Sequence, residues 1–223
     1  MKKAAICVVF AFHLFLSAAF GMIIYVPGDY PTIQEGINAC SRGDTVMIAP
    51  GIYGGPGNGE LNTAGNAMTI MGEKGALYTI IDCTITLTGF TISQQEDSNT
   101  VIKDLTIKNA FTGITCYMTS PIIRSCIFQD FFINGIYIDG YTGEPPVTPI
   151  IENCIFEQIS PDFIAWGDGV YAYRATHVTV SGCAFINCGY GLDFHAYSGL
   201  RPDFEVSNCL FRHNATNAIW THS

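Results

Sequence analysis

Four short stretches hold the residues best suited to chemistry: GIYID (135–139), GVYAY (169–173), GLDFH (191–195) and AIWTH (218–222). Read as strands in register, they alternate between two sides. Ile136, Val170, Leu192 and Ile219 fall on one side with Ile138, Ala172, Phe194 and Thr221. Tyr137, Tyr171, Asp193 and Trp220 fall on the other with Asp139, Tyr173, His195 and His222. GITCY (113–117) extends the polar columns with Thr115 and Tyr117. Carboxylates and imidazoles bond hydroxyls and move protons, while aromatic faces pack on the apolar faces of sugar rings. The candidates for catalysis are therefore Asp193, His195 and Asp139. The candidates for substrate contact are Tyr137, Tyr171, Tyr173, Trp220 and His222. A plainer origin stays open, because aromatic and β-branched residues also stack well on exposed strands.

Asp139 and Asp193 stand two coils apart in this register, roughly 10 Å. That is at or beyond the long end of the ~6.5–9.5 Å carboxyl separation of inverting glycosidases. Asp193 and His195 are nearer, two residues apart on one strand. Asp162, Asp168, Asp193 and Asp203 are the acids that could gather oxygens around Ca2+, the one cofactor considered; each also reads as a solvated surface acid.

These columns need a repeating scaffold, and the chain has one. PIIRSCIF begins at Pro121 and PIIENCIF at Pro149. The same template covers VIKDLTI (101–107), VTVSGCAF (178–185) and FEVSNCLF (204–211), and GFTI (89–92) fits it as well. One column runs Leu105, Cys126, Cys154, Cys183, Cys209, and the next Ile107, Phe128, Phe156, Phe185, Phe211. Just before the cysteine column stand only Asp104, Ser125, Asn153, Gly182 and Asn208, types that tolerate a left-handed bend. Each repeat thus holds three short strands parted by turns, which predicts an all-β, right-handed, single-stranded parallel β-helix of roughly 6–7 rungs. The longest insertions (140–148, 157–168 and 196–203) fall in turns. Ahead of the coils, Thr32 and Glu35 have capping-box spacing. Ile33, Ile37 and Cys40 share a helical face, so a short amphipathic helix covers the first rung. TVMIA (45–49) reads as a strand and PGIY after it as a turn.

Lys2 and Lys3, an apolar run from Ala4 to Leu16, and Ala19 and Gly21 at small-x-small spacing read as a secretory signal peptide over 1–21. Residues 22–53 then form the cap and first strand, and 54–223 the coils. The chain has 223 residues and a net charge of −9, which becomes −11 once Lys2 and Lys3 are removed. Such acidity argues against nucleic acid or anionic lipid as partners, and against a polyanionic substrate unless a cation bridges the two. Export and eight cysteines beyond Cys7 invite disulfides. A line of thiols on successive rungs does not converge as tetrahedral zinc requires, and parallel side chains make a bridge awkward. Buried reduced thiols are expected, with Cys183 and Cys188 the better disulfide pair. No segment after the signal is long and apolar enough to span a membrane.

GDYPTIQEGINACSRGDTVMIAPGIY (28–53) resembles the N-terminal cap of secreted bacterial proteins with the pectin-lyase-like β-helix. TIIDC (79–83) and ITLTGFTI (85–92) resemble that family's next two strands. The resemblance spans the mature chain and speaks to fold more than to activity. It implies a secreted, periplasmic or cell-surface protein, with the strand bearing the polar columns lining a groove for a polysaccharide or other glycan. If the protein is an enzyme, it implies a polysaccharide lyase or glycoside hydrolase. The paired aspartates and Gly-His-Gly of polygalacturonases are absent, and no acid cluster adjoins the candidate lyase bases Arg174 and Arg201. The alternative is a non-catalytic surface or adhesion module, the first part of a longer protein, with a further chain or domain over the last rung.

Overall fold

The computed structural model describes residues 21–93, 96–140, 146–159, 167–175, 177–195 and 203–222. The signal-peptide reading (save Gly21), Asp162, Arg201 and most of each long insertion lie outside them. The described residues form a parallel solenoid of about seven turns with three faces.

Eight parallel strands make the first face: Ile23–Val26, Thr45–Ile48, Thr69–Gly72, Val101–Lys103, Ile122–Arg124, Ile150–Glu152, Val178–Ser181 and Phe204–Ser207. The second face holds Ile127–Phe131, Ile155–Ile159, Ala184–Ile186 and Leu210–Arg212. The third holds Asn134–Asp139, Asp168–Tyr173, Tyr190–His195 and Ile219–His222. Two longer strands, Thr79–Ile92 and Thr106–Tyr117, turn the corner and join the second and third faces into one sheet.

The bend before the cysteine column is left-handed at every position expected: φ is 59° at Asp104, 53° at Ser125, 53° at Asn153, 62° at Gly182 and 53° at Asn208. Short polar side chains and glycine bear that conformation at least cost. Each following thiol closes the bend by donating to the carbonyl two residues back. Cys126 reaches Arg124 O at 3.3 Å, Cys154 reaches Glu152 O at 3.3 Å, Cys183 reaches Ser181 O at 3.4 Å and Cys209 reaches Ser207 O at 3.3 Å. All eight described cysteines are free thiols, seven of them buried. Cys183 and Cys188 are not bridged, because they occupy two successive corners of one coil, at opposite ends of the Ala184–Ile186 strand. Burial pushes the Cys83, Cys116 and Cys188 thiols up to about 12.

Inside the second face the phenylalanines form a continuous stack. Ring centroids are 4.8 Å apart for Phe128–Phe156, 4.8 Å for Phe156–Phe185 and 5.0 Å for Phe185–Phe211, with planes within 8°. Gly113, Gly135, Gly169 and Gly191 admit these rings. A Cβ at any of them would stand 2.5–2.7 Å from the next coil's carbonyl oxygen and within 2.9 Å of a phenylalanine ring carbon.

The cap helix is Ile33–Ala39, with the Thr32/Glu35 capping box formed and Ile33, Gly36 and Ile37 buried. Two local expectations are corrected. PGIY is not simply a turn: Gly51–Gly54 is a strand paired with Thr79–Asp82, and its Tyr53 hydroxyl donates to Ala49 O at 2.9 Å. GFTI belongs to the third face rather than to the cysteine template, since Phe90, Thr91 and Ile92 pair with Ile114, Thr115 and Cys116. Gly89 packs there as the later glycines do, its Cβ position 2.6 Å from Gly113 O.

Candidate functional site

On the third face the strand register brings the predicted columns together. Tyr137 pairs with Tyr171, Tyr171 with Asp193, and Asp193 with Trp220. Asp139 pairs with Tyr173, Tyr173 with His195, and His195 with His222. Ile136, Val170 and Leu192, with Ile138, Ala172 and Phe194, fill the core beneath. Thr115 and Tyr117 extend the columns one coil back.

The pairing also makes an outward column that alternation alone does not reveal. Thr88, Thr112, Asn134, Asp168 and Tyr190 are successive register partners. They stand three residues before the Tyr137 column instead of two, because each strand spends an extra inward residue at its glycine, where the Phe stack needs space. The signal was present in the glycine that stands two residues before each of Tyr137, Tyr171 and Asp193 but requires the phenylalanine contact to interpret.

Asp168 is the most perturbed acid of this face. Burial, and then the Asp193 carboxylate, push it up to about 8. Its Oδ1 has no hydrogen-bond partner among the described residues. Its Oδ2 accepts from the Asn134 amide at 3.2 Å when that amide is turned to face it, the orientation that also lets Asn134 donate to Ile133 O.

Asp193 is 6 % exposed. Its Oδ1 lies 3.0 Å from His195 Nε2 and 3.8 Å from His222 Nε2. The shorter approach has ion-pair distance without hydrogen-bond geometry: Asp193 Oδ1 and His195 Nε2, both buried, have no hydrogen-bond partner among the described residues. The two imidazoles stack at 3.9 Å and 19°. Burial and the neighbouring Asp193 push Tyr171 up to about 12.

Asp139 is engaged elsewhere. Arg174 Nη2 donates to both its oxygens at 2.8 Å and Nε donates to Oδ1 at 3.1 Å. The same guanidinium covers the Tyr173 ring at 4.4 Å. A bidentate pair of this kind occupies both carboxylate oxygens, which separates Asp139 chemically from the Asp193–His195 group. Asp203 pairs with His177 at 2.8 Å beside the first face, so it does not join Asp168 and Asp193 as a calcium ligand.

The aromatic rings are arranged differently from the expectation of open sugar platforms. Tyr137 and Tyr171 stack face to face at 5.5 Å and 5°, so they present edges and hydroxyls outward. The more open rings stand at the column ends: Tyr117, 44 % exposed and edge-on to Tyr137, and Trp220, 38 % exposed and edge-on to Tyr190. Beside Tyr117 and Tyr137 the surface dips into a cavity of about 390 Å3. Thr88, Thr91, Thr112 and Thr115 line it with hydroxyls, and Leu87 and Ile133 form an apolar lip. The face thus runs from a threonine-lined hollow, across stacked tyrosines, to an acid–imidazole cluster beside a tryptophan.

Among solved structures, the chain is similar to an alginate lyase from Paenibacillus sp. str. FPU-7, with 14 % identity and a TM-score of 0.55 over 81 % of this chain and 73 % of that one. A mutant pectin methylesterase in complex with a hexasaccharide aligns at 10 % identity and a TM-score of 0.40 over 92 % of this chain and 82 % of that one. No curated protein sequence matches. The family described as right handed beta helix region matches residues 57–165 and 148–223. With about seven parallel turns and this match over most of its length, the chain belongs to the right-handed β-helix family.

Proposed function

We propose that this is an exported protein that binds a polysaccharide along the third face, from the threonine-lined hollow to Trp220. The observation that carries the reading is the set of outward columns, Tyr117 to His222 and Thr115 to Trp220. They place hydroxyls, aromatic rings, a buried carboxylate and two imidazoles along four successive steps of the coil, roughly 19 Å. Sugars are met by that combination of ring surfaces and hydroxyl-bonding groups. Support of a coarser kind comes from the fold, which an alginate lyase also uses. Export rests on the charged and apolar character of the first 21 residues.

Binding is the primary activity in this reading, and Asp193 with His195 is the pair equipped for acid–base chemistry on a bound chain. The Asp139–Arg174 pair and the mutual stacking of Tyr137 and Tyr171 favour a second reading, a surface or adhesion module that binds without cleaving. Affinity electrophoresis in gels cast with neutral and acidic polysaccharides tests both. Retardation by at least one polysaccharide, abolished by Tyr117→Ala with Trp220→Ala, is expected. Retardation unchanged by that double variant, or none in any gel, refutes the proposed face. Shortening of the retarding polymer, lost in Asp193→Asn, distinguishes an enzyme from a module.

A further inference from the structure

We propose that Asp193, His195 and His222 form a binding site for a divalent transition-metal ion of the zinc type. The three side chains each offer one donor atom, and those atoms lie within 4.8 Å of one another. Asp193 Oδ1 is 3.0 Å from one imidazole Nε2 and 3.8 Å from the other. Zinc holds nitrogen at about 2.0–2.1 Å and carboxylate oxygen at about 2.0–2.2 Å, so tetrahedral donors stand roughly 3.3–3.5 Å apart. The two distances bracket that value, and rotation of the imidazoles about their side-chain bonds would turn both Nε2 atoms toward one point.

The backbone makes the convergence structural. His195 and His222 are direct register partners on neighbouring parallel strands, and Asp193 stands two residues before His195 on the same outward side. Stacking of the imidazoles keeps both Nε2 atoms beside one carboxylate. A second observation is independent of this spacing. Asp193 is more than nine-tenths buried, and its Oδ1 and the Nε2 of His195 have no hydrogen-bond partner among the described residues. Buried polar atoms ordinarily have one, and an ion between them would satisfy both lone pairs at once.

The donor set selects the metal. Two imidazoles and one carboxylate suit zinc, copper, nickel or iron, whereas calcium takes six to eight oxygens. Three protein ligands also leave a coordination position free, the arrangement of open rather than structural zinc sites. On this face Asp193 stands between its register partners Tyr171 and Trp220. A cation there would give an acidic chain the bridge it otherwise lacks toward an acidic sugar. The site itself stands without the glycan reading, and its test contains no glycan.

The test uses the purified chain stripped with a chelator, with Zn2+ titrated in competition against a chromophoric chelator. Co2+ absorption reports the coordination, and the melting temperature is followed alongside. We expect one ion per chain, with His195→Gln and His222→Gln each weakening it by more than about 100-fold, beyond the 10–100-fold that loss of an outer partner costs. Zn2+ should raise the melting temperature of the parent chain and not that of His222→Gln. The His222 side chain is 45 % exposed, so this variant keeps the fold, as far-UV circular dichroism would show. No Zn2+ uptake overturns the proposal. So does uptake that both histidine variants leave unchanged, which would place the ion on thiols instead.

Discussion

The inner and outer columns of the coil share one spacing and are used in opposite ways. Inward, the second face repeats a single side chain, Phe128, Phe156, Phe185 and Phe211, each ring lying flat on a copy of itself. Outward, one column of the third face reads Thr115, Tyr137, Tyr171, Asp193, Trp220. A coil can bury its apolar side only against its neighbours, so the interior rewards repetition. No such demand acts on the outer side, where side chains change from coil to coil. The repeat therefore sets position, and departures from it on the outer side carry the chemistry.

Breaking the inner column should have the largest effect. Phe156 is fully buried between two other rings. Phe156→Ala should cost about 3–5 kcal/mol in urea unfolding, and a loss under about 1 kcal/mol would show that the stack does not hold the coils. Gly169→Ala comes next. Its Cβ would stand 2.4 Å from Phe185 Cδ1 and 2.6 Å from Gly191 O, an overpacking expected to cost about 1–3 kcal/mol. An unchanged melting temperature would contradict the account of why glycine recurs there.

Asp168 sharpens the comparison, because it is an outward acid held under inward conditions. Its carboxyl ionises near 3.8 when unfolded and is pushed up to about 8 in the fold. Between those values the folded chain keeps a proton that the unfolded chain releases, so stability falls as pH rises through the window. Asp168→Asn removes that loss. With chelator present, so that no ion alters the neighbouring Asp193, the variant should match the parent chain near pH 4 and exceed it above pH 8. The gain should be at least about 1.4 kcal/mol, the worth of one decade in proton affinity. Equal stabilities at pH 9, by thermal melts, would show Asp168 to be solvated.

How far the site could be read from the sequence follows from the same contrast. The cysteine register located the left-handed bends at Asp104, Ser125, Asn153, Gly182 and Asn208, and strict alternation located the Tyr137–Trp220 and Asp139–His222 columns, because both are backbone-periodic. A second series of left-handed corners, at Asn109, Asp130, Gln158, Asn187 and His213, was not legible in the same way. Its residue types are mixed: asparagine, aspartate and histidine take this conformation more readily than most, but glutamine does not, so the column has no single signature. Asp168 was legible only as one of four acids open to calcium, and its place in the outward column was not, because the extra residue at each glycine breaks alternation. The Asp139–Arg174 pair and the Tyr137–Tyr171 stack depend on side-chain reach, which spacing along a strand does not encode.

The central claim is that the third outward face, and not the first, meets the glycan. The most direct measurement is calorimetric titration of the best-retarded oligosaccharide into matched variants of the two faces. Tyr117→Ala and Trp220→Ala on the third face should each weaken binding about tenfold, the roughly 1.4 kcal/mol that one aromatic contact supplies. Thr179→Ala and Glu205→Ala on the first face, register partners on neighbouring strands, should leave it unchanged. Equal affinities across all four variants, or losses confined to the first face, would contradict the account.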